Sequence, residues 1–150
     1  MHHEIRTEIT IDAPADVVWK VLVDLDAYNE WNPFVVESTG RAEIGERLVN
    51  RLHPPGGKAM TFKPFVTEVE PGRTFEWLGR LGLPRLFDGR HRFDLEPTTS
   101  GGTALVHSEY FDGLLVRFMR SRLDTNTKAG FEAMNAALKT RAERRVEGTA

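Results

Sequence analysis

The chain opens on an alternating pattern: Ile5, Thr7, Ile9 and Ile11 share one face while Glu4, Arg6, Glu8 and Thr10 share the other, which predicts a half-buried strand. Asp12 followed by Pro14 supplies a cap and an early helical proline. Val17, Val18, Val21, Leu22 and Leu25 then recur at helical spacing, with Trp19 to one side. Asp26 to Trp31 reads as a second short helix, stopped before Pro33 because the residue preceding a proline disfavours helical backbone. From Phe34 to Asp112 the pattern is that of strands, over 34–41, 46–53, 58–70, 73–81, 88–97 and 102–112. The links between them, Gly45-Glu46, Pro54-Pro55-Gly56-Gly57, Pro71-Gly72 and Ser100-Gly101-Gly102, carry turn chemistry and are short enough for antiparallel hairpins. Pro64 interrupts the longest candidate, which predicts a bulge or a sheet edge there. Beyond Gly113 the spacing of Leu115, Phe118, Met119, Leu123, Phe131, Met134 and Leu138 predicts one long amphipathic helix over 114–145, roughly 45 Å if unbroken. The order is therefore strand, two helices, six strands, long helix: an α+β chain. A curved antiparallel sheet of about seven strands wrapped around the closing helix buries both apolar faces.

Composition narrows the chemistry. A chain of 150 residues and 17.0 kDa is expected to form one domain over 1–150, large enough to bury about two-thirds of its unfolded surface. It contains no cysteine, which excludes disulfides, thiolate metal sites and cysteine nucleophiles. Twenty basic against 22 acidic residues leave a formal charge of −2, so no net basic charge points to nucleic acid. No apolar run approaches the roughly 18 residues of a membrane span, and Met1-His2-His3-Glu4-Ile5 lacks the layout of a secretion signal. A cytoplasmic protein without stable membrane insertion is the expectation.

Several local motifs carry a resemblance that spans essentially the whole chain. They are Ala13-Pro14-Ala15-Asp16-Val17-Val18-Trp19 opening the first helix, Trp31-Asn32-Pro33-Phe34 closing the second, Gly45, Glu70-Pro71-Gly72-Arg73 and Phe75-Glu76-Trp77. Asp88-Gly89-Arg90-His91-Arg92-Phe93, Gly102-Thr103 and the run from His107 to Gly113 complete them. With this element order the chain resembles the helix-grip fold of the START and Bet v 1-like superfamily, and its bacterial polyketide cyclase/dehydrase-type branch in particular. The resemblance implies an internal cavity between sheet and long helix, suited to lipids, sterols, polyketides or other apolar molecules. Relatives of this fold range from carriers and sensors to cyclases, dehydratases and co-chaperone domains, so fold alone does not decide function.

Strand register locates the candidate chemistry. If the last hairpin turns around Ser100, His91 faces Glu109 and Phe93 faces His107, with Leu95, Leu105 and Phe111 marking their shared face as the concave one. Arg90, Arg92 and Asp94 then point away. A similar count around Arg85 sets Gly79 opposite His91 and Trp77 opposite Phe93, leaving open space beside His91. An imidazole and a carboxylate in an apolar cavity suit general acid–base work, with Glu109 setting the His91 tautomer. The same pair also suits orienting a ligand's carbonyl or hydroxyl, or simple mutual satisfaction of buried polar groups. A two-histidine, one-carboxylate metal site from His91, His107 and Glu109 needs convergent geometry that strand spacing only permits; no metal and no cofactor is expected. His2 and His3 beside the terminal amine offer only incidental metal scavenging.

Phe62, Trp77, Phe93 and Phe118 with Met119 and Leu123 are the candidate cavity walls, although aromatic and methionine side chains also pack ordinary cores. Asn126 is a candidate polar handle on the long helix, and Gly130 marks a bend or a close approach. The apolar Leu81-Gly82-Leu83-Pro84-Arg85-Leu86-Phe87 connection reads as a lid over the cavity mouth, a partner- or membrane-touching tip, or packing on the helix end. The expected function is binding of a small hydrophobic molecule. The alternatives are a cyclase, aromatase or dehydratase using His91 and Glu109, or a protein-interaction module. Oligomeric state stays open.

Overall fold

The computed structural model describes residues 2–80 and 83–148. Among these, β1 (His2–Ile11) leads into α1 (Ala15–Val23) and a 3-10 turn over Leu25–Glu30. There follow β2 (Val35–Thr39), β3 (Val49–Leu52), β4 (Met60–Phe62), β5 (Phe65–Glu70), β6 (Thr74–Arg80), β7 (Asp88–Pro97) and β8 (Thr103–Asp112). The chain closes with α2 (Val116–Arg122), a π-helical stretch over Leu123–Thr127 and α3 (Lys128–Gly148). The sheet curves around this last helical run, as expected. The strands number eight rather than about seven, and pair as β1-β8-β7-β6-β5 and β2-β3-β4.

The extra strand has a local cause. Pro64 has no N–H to give a ladder, so the expected 58–70 strand breaks there into β4 and β5. The carbonyl of Pro64 still accepts the Leu48 N–H, and an Arg47–Phe65 bridge carries the pairing from one ladder to the other. In the first ladder the face of Ile5, Thr7 and Ile11 is buried, and β1 lies beside β8 although a hundred residues separate their sequences.

Two short motifs turn out to be structural. The Asn32 side chain accepts the N–H groups of Phe34 and Val35 through Oδ1, closing the turn before β2, while Tyr28 donates its hydroxyl to the Leu22 carbonyl. Pro14 occupies the N-cap position, where its carbonyl takes the Val17 and Val18 N–H groups. Asp12 does not cap α1; its backbone N–H instead donates to Glu143 of α3 at 2.8 Å.

The closing helix buries Val116, Leu123, Phe131, Met134, Leu138 and Ala142 against the sheet. It is not one uniform α-helix: the π-helical stretch sits where Asn126 and Thr127 face the cavity described below, a common place for such a turn. Gly130 marks close approach, because a Cβ there would lie 2.3 Å from the ring of buried Phe34.

In the 81–87 connection, Leu81 and Gly82 lie outside the described residues. From Leu83 onward it forms a turn docked on the start of the helix, with the Arg85 and Leu86 carbonyls accepting the N–H groups of Leu114 and Leu115 at 3.1 and 3.0 Å. Gly113 makes this docking possible: its φ is +135°, and a Cβ would stand 2.4 Å from the Leu86 carbonyl oxygen. Gly113→Ala is therefore expected to destabilise the fold by about 2–4 kcal/mol through backbone strain and overlap together. Urea unfolding checks this; a loss under about 0.5 kcal/mol, the range of an ordinary surface substitution, contradicts the docking.

Candidate functional site

Two rows of side chains cross the concave face. Thr7, His107, Phe93 and Phe75 stand opposite one another on β1, β8, β7 and β6, and Ile5, Glu109, His91 and Trp77 form the next row. His91 thus faces Glu109 and Phe93 faces His107, the register that turning around Ser100 predicts. The β6–β7 register differs from expectation by two residues: Trp77, not Gly79, opposes His91, while Gly79 opposes Gly89 and Phe75 opposes Phe93. The hairpin is centred on Pro84 rather than Arg85, and a shift of two keeps every side chain on its expected face. The expected open space beside His91 is instead taken by Trp77, and over the two facing glycines the Glu109 carboxyl and Phe111 fill the room at Gly89.

The rows are joined diagonally by a chain of hydrogen bonds. His91 Nε2 lies 2.7 Å from His107 Nε2, and His107 Nδ1 lies 2.7 Å from Asn135 Oδ1 on α3. Asn135 Nδ2 donates to Thr7 Oγ1, and Thr7 Oγ1 donates to the His107 carbonyl, both at 2.8 Å. Proton positions follow from the far end. The single Thr7 hydroxyl proton is committed to a carbonyl, so Thr7 accepts from the Asn135 amide and turns Asn135 Oδ1 toward His107. His107 must then carry its hydrogen on Nδ1 and present a bare Nε2. His91 donates from its own Nε2, leaving its Nδ1 as an acceptor 3.3 Å from Glu109 Oε1.

The electrostatics agree. Burial lowers His91 to about 3, and burial with the neighbouring His91 holds His107 well below the usual imidazole value. Burial pushes Glu109 up to about 8. The pair facing the cavity is thus a neutral carboxylic acid beside a neutral imidazole acceptor, and moving the proton between them changes no net charge. Aromatic faces hold both rings in place: Trp77 stacks on His91 with centroids 4.6 Å apart, and Phe131 on His107 at 4.1 Å. The two imidazole Nε2 atoms point at each other at hydrogen-bond distance, which leaves no gap between them for an ion. No cluster of metal-ligating side chains forms among the described residues.

The cavity in front of Glu109 measures about 680 Å³. Of the sequence candidates, Phe62, Trp77, Gly79, His91, Glu109, Met119, Leu123 and Asn126 line it. The other four do not. Phe93 and His107 are fully buried behind the wall, His107 acting on the cavity only through His91. Gly130 is covered by Phe34. Phe118 is 71% exposed, because one helical step turns it to solvent while Met119 turns inward.

Sequence reasoning passed over Phe34 and Lys58 as wall or rim, Gly89 beneath Glu109, and Asn135 behind His107. Two of these had a signal: Asn135 interrupts the apolar stripe between Met134 and Leu138, and Gly89 sits inside a strand. A Cβ at Gly89 would lie 2.3 Å from Glu109 Oε2, so the carboxyl occupies space that only glycine leaves.

These shifts make stability depend on pH in two opposed ways. Glu109, raised from 4.5 to about 8, contributes fully below its unfolded value and loses that contribution as pH rises through 8. His91, lowered from 6.5 to about 3, contributes fully above its unfolded value and loses it as pH falls toward 3, and His107 acts in the same direction. Stability from the cluster is expected to peak at about pH 6.5, and Glu109→Gln is expected to abolish the decline from there to about 8 and to steepen the rise between about 5 and 6.5. Urea unfolding from about pH 5 to 9 tests this; parallel curves for the two proteins mean an ionised Glu109 in the fold.

Comparison with known proteins fits this architecture. The family model described as polyketide cyclase / dehydrase and lipid transport matches residues 2–143. No curated protein matches the chain at the sequence level. Among solved structures, the Zhui aromatase/cyclase from Streptomyces sp. R1128 is similar with a TM-score of 0.80 and 20% identity, over 97% of this chain and 96% of that one. The di-domain aromatase/cyclase StfQ of the steffimycin biosynthetic pathway gives 0.79 at 15% identity, over 98% of this chain and 53% of its own, so this chain spans about half of it. A norcoclaurine synthase point mutant from Thalictrum flavum gives 0.75 at 15% identity, over 97% and 96%. At these identities the likeness is one of fold. The match of the family model over nearly the whole length shows more: the chain belongs to the polyketide cyclase/dehydrase and lipid transport family of the Bet v 1-like superfamily.

Proposed function

We propose that the protein binds a small, mostly apolar molecule in this cavity and engages one of its carbonyl or hydroxyl oxygens through Glu109. The observation that carries this reading is the Glu109 carboxyl, 3.3 Å from His91 and set in a wall that includes Trp77, Phe87, Phe111 and Met119, where burial favours its protonated form. Apolar walls supply the driving force and one aimed polar group sets orientation. The cavity volume lies within the range of small-molecule sites.

A second reading, acid–base catalysis, is favoured by the hydrogen-bond chain behind His91. Simple satisfaction of a buried carboxyl needs no defined tautomer three residues away. A chain from Thr7 through Asn135 and His107 that leaves His91 Nδ1 bare suits a group that must repeatedly give and take the Glu109 proton. Enolisation, dehydration or aldol-type ring closure of a bound ketone needs such a group. The aromatase/cyclase and synthase neighbours share the fold and agree with this reading without assigning it.

Glu109→Gln separates the two, because an amide can still donate a hydrogen bond but cannot transfer a proton. Binding of the fluorescent hydrocarbon N-phenyl-1-naphthylamine to the wild-type protein tests the first reading; no saturable binding overturns it. Deuterium exchange at the α-carbon of 2-tetralone, followed by proton NMR, tests the second. Acceleration by the wild type is expected to fall about 100-fold or more in Glu109→Gln. Saturable binding of 2-tetralone without acceleration leaves a binding protein.

A further inference from the structure

The charged side chains lining the cavity are unevenly distributed. The side chains of Lys58 and Arg122 reach it, against the single carboxylic side chain of Glu109. They come from two separate parts of the chain: the loop before β4 and the last turn of α2. Both are exposed, whereas Glu109 lies at the inner wall and burial holds its proton on. The rim is therefore cationic and the interior neutral, in a chain whose overall formal charge is −2.

Neighbouring carboxylates do not cancel this charge. Arg80 also borders the cavity, but alternation along β6 sets its side chain with Glu76 and Leu78 on the convex face, where Nε lies 3.6 Å from Asp88 and the guanidinium lies over Phe65 at 5.9 Å. Among the described residues no carboxylate stands within ion-pair distance of Lys58 or Arg122. Asp124, close to Arg122 in sequence, is taken by His3 at 2.6 Å. By contrast, the convex face pairs its arginines closely: Arg90 with Glu76, and Arg92 with Glu68, Glu76 and Asp94. The Asn126 amide beside Gly56 adds a neutral polar group to the same rim.

We infer that the molecule taken by this cavity is an amphipathic anion, with its apolar body inside and a carboxylate or phosphate group at the rim against Lys58 and Arg122. This rests on the cavity being a binding site, as proposed above, and names the class of ligand it selects. Cations from two elements meet the anion, and the Arg122 guanidinium offers paired N–H donors to a planar or tetrahedral oxyanion. Glu109 then meets a neutral oxygen of the same molecule at the other end.

The test is displacement of N-phenyl-1-naphthylamine by three compounds with one ten-carbon chain: decanol, decanoate and decyl phosphate, each below its aggregation limit. With the wild type, decanoate is expected to displace the probe at about tenfold lower concentration than decanol, an advantage that shrinks with added salt. In Lys58→Gln/Arg122→Gln the ratio of decanol to decanoate concentrations is expected to fall to about two. The ratio is read within each protein, so any change in probe affinity cancels, and an unchanged circular dichroism melt establishes folding. A further gain for decyl phosphate over decanoate assigns the rim to a phosphate ester, and no gain assigns it to a carboxylate. Equal displacement by decanol and decanoate in the wild type overturns the inference while leaving the cavity as a binding site. An equal preference in wild type and double variant overturns the role of these cations. Failure of the probe itself to bind overturns the binding proposal, and the inference with it.

Discussion

Two imidazoles meeting nitrogen to nitrogen at 2.7 Å in a fully buried place require one to donate and the other to accept, burial favours the neutral form of both, and each must have its other nitrogen accounted for. Everything around His107 serves that requirement. Asn135 takes its Nδ1 hydrogen, Thr7 holds Asn135 in the one orientation that permits this, and Thr7 is itself held by the His107 backbone carbonyl. The circuit joins β1, β8 and α3. The closing helix is thereby tied to the sheet by polar bonds of fixed direction as well as by apolar packing. What emerges at its open end is a single defined group, the His91 acceptor beside Glu109.

The two faces of the sheet handle charge differently. On the convex face Glu76, 5% exposed, is held as a carboxylate by Arg90, Arg92 and Thr67, and its ionisation is displaced below the usual range. Desolvation opposes that shift, and the hydrogen bonds outweigh it. On the concave face no cation approaches Glu109 among the described residues, so desolvation acts unopposed and the acid keeps its proton. One sheet thus carries two buried glutamates in opposite states, separated by which face of the pleat each occupies.

Much of this was legible beforehand. Alternation in β1, β7 and β8, with turn residues at Ser100-Gly101-Gly102, was enough to set His91 opposite Glu109, because a hairpin's register follows from its turn. The 81–87 connection misled by two residues because its turn is stabilised by the helix start beyond Gly113, a partner distant in sequence. Phe118 misled for a related reason. The helix pattern there is apolar on more than one side, and only the position of the sheet shows that Met119 faces inward. Asn135 belongs to the site through a neighbour 28 residues away, a separation over which local periodicity carries no information.

The amino-acid sequence by itself therefore determined the element order, the α+β class, the face on which each strand residue stands and two correct cross-strand pairs, His91–Glu109 and Phe93–His107. These depend on periods of two and 3.6 residues and on turn chemistry, which are properties of neighbouring positions. Only the tertiary structure decided which buried polar groups meet, which tautomer each imidazole adopts, that burial favours the neutral acid at Glu109, and that Lys58 and Arg122 from separate elements share one rim. Those properties depend on distance and on exclusion from solvent, and both arise when the closing helix packs into the curve of the sheet.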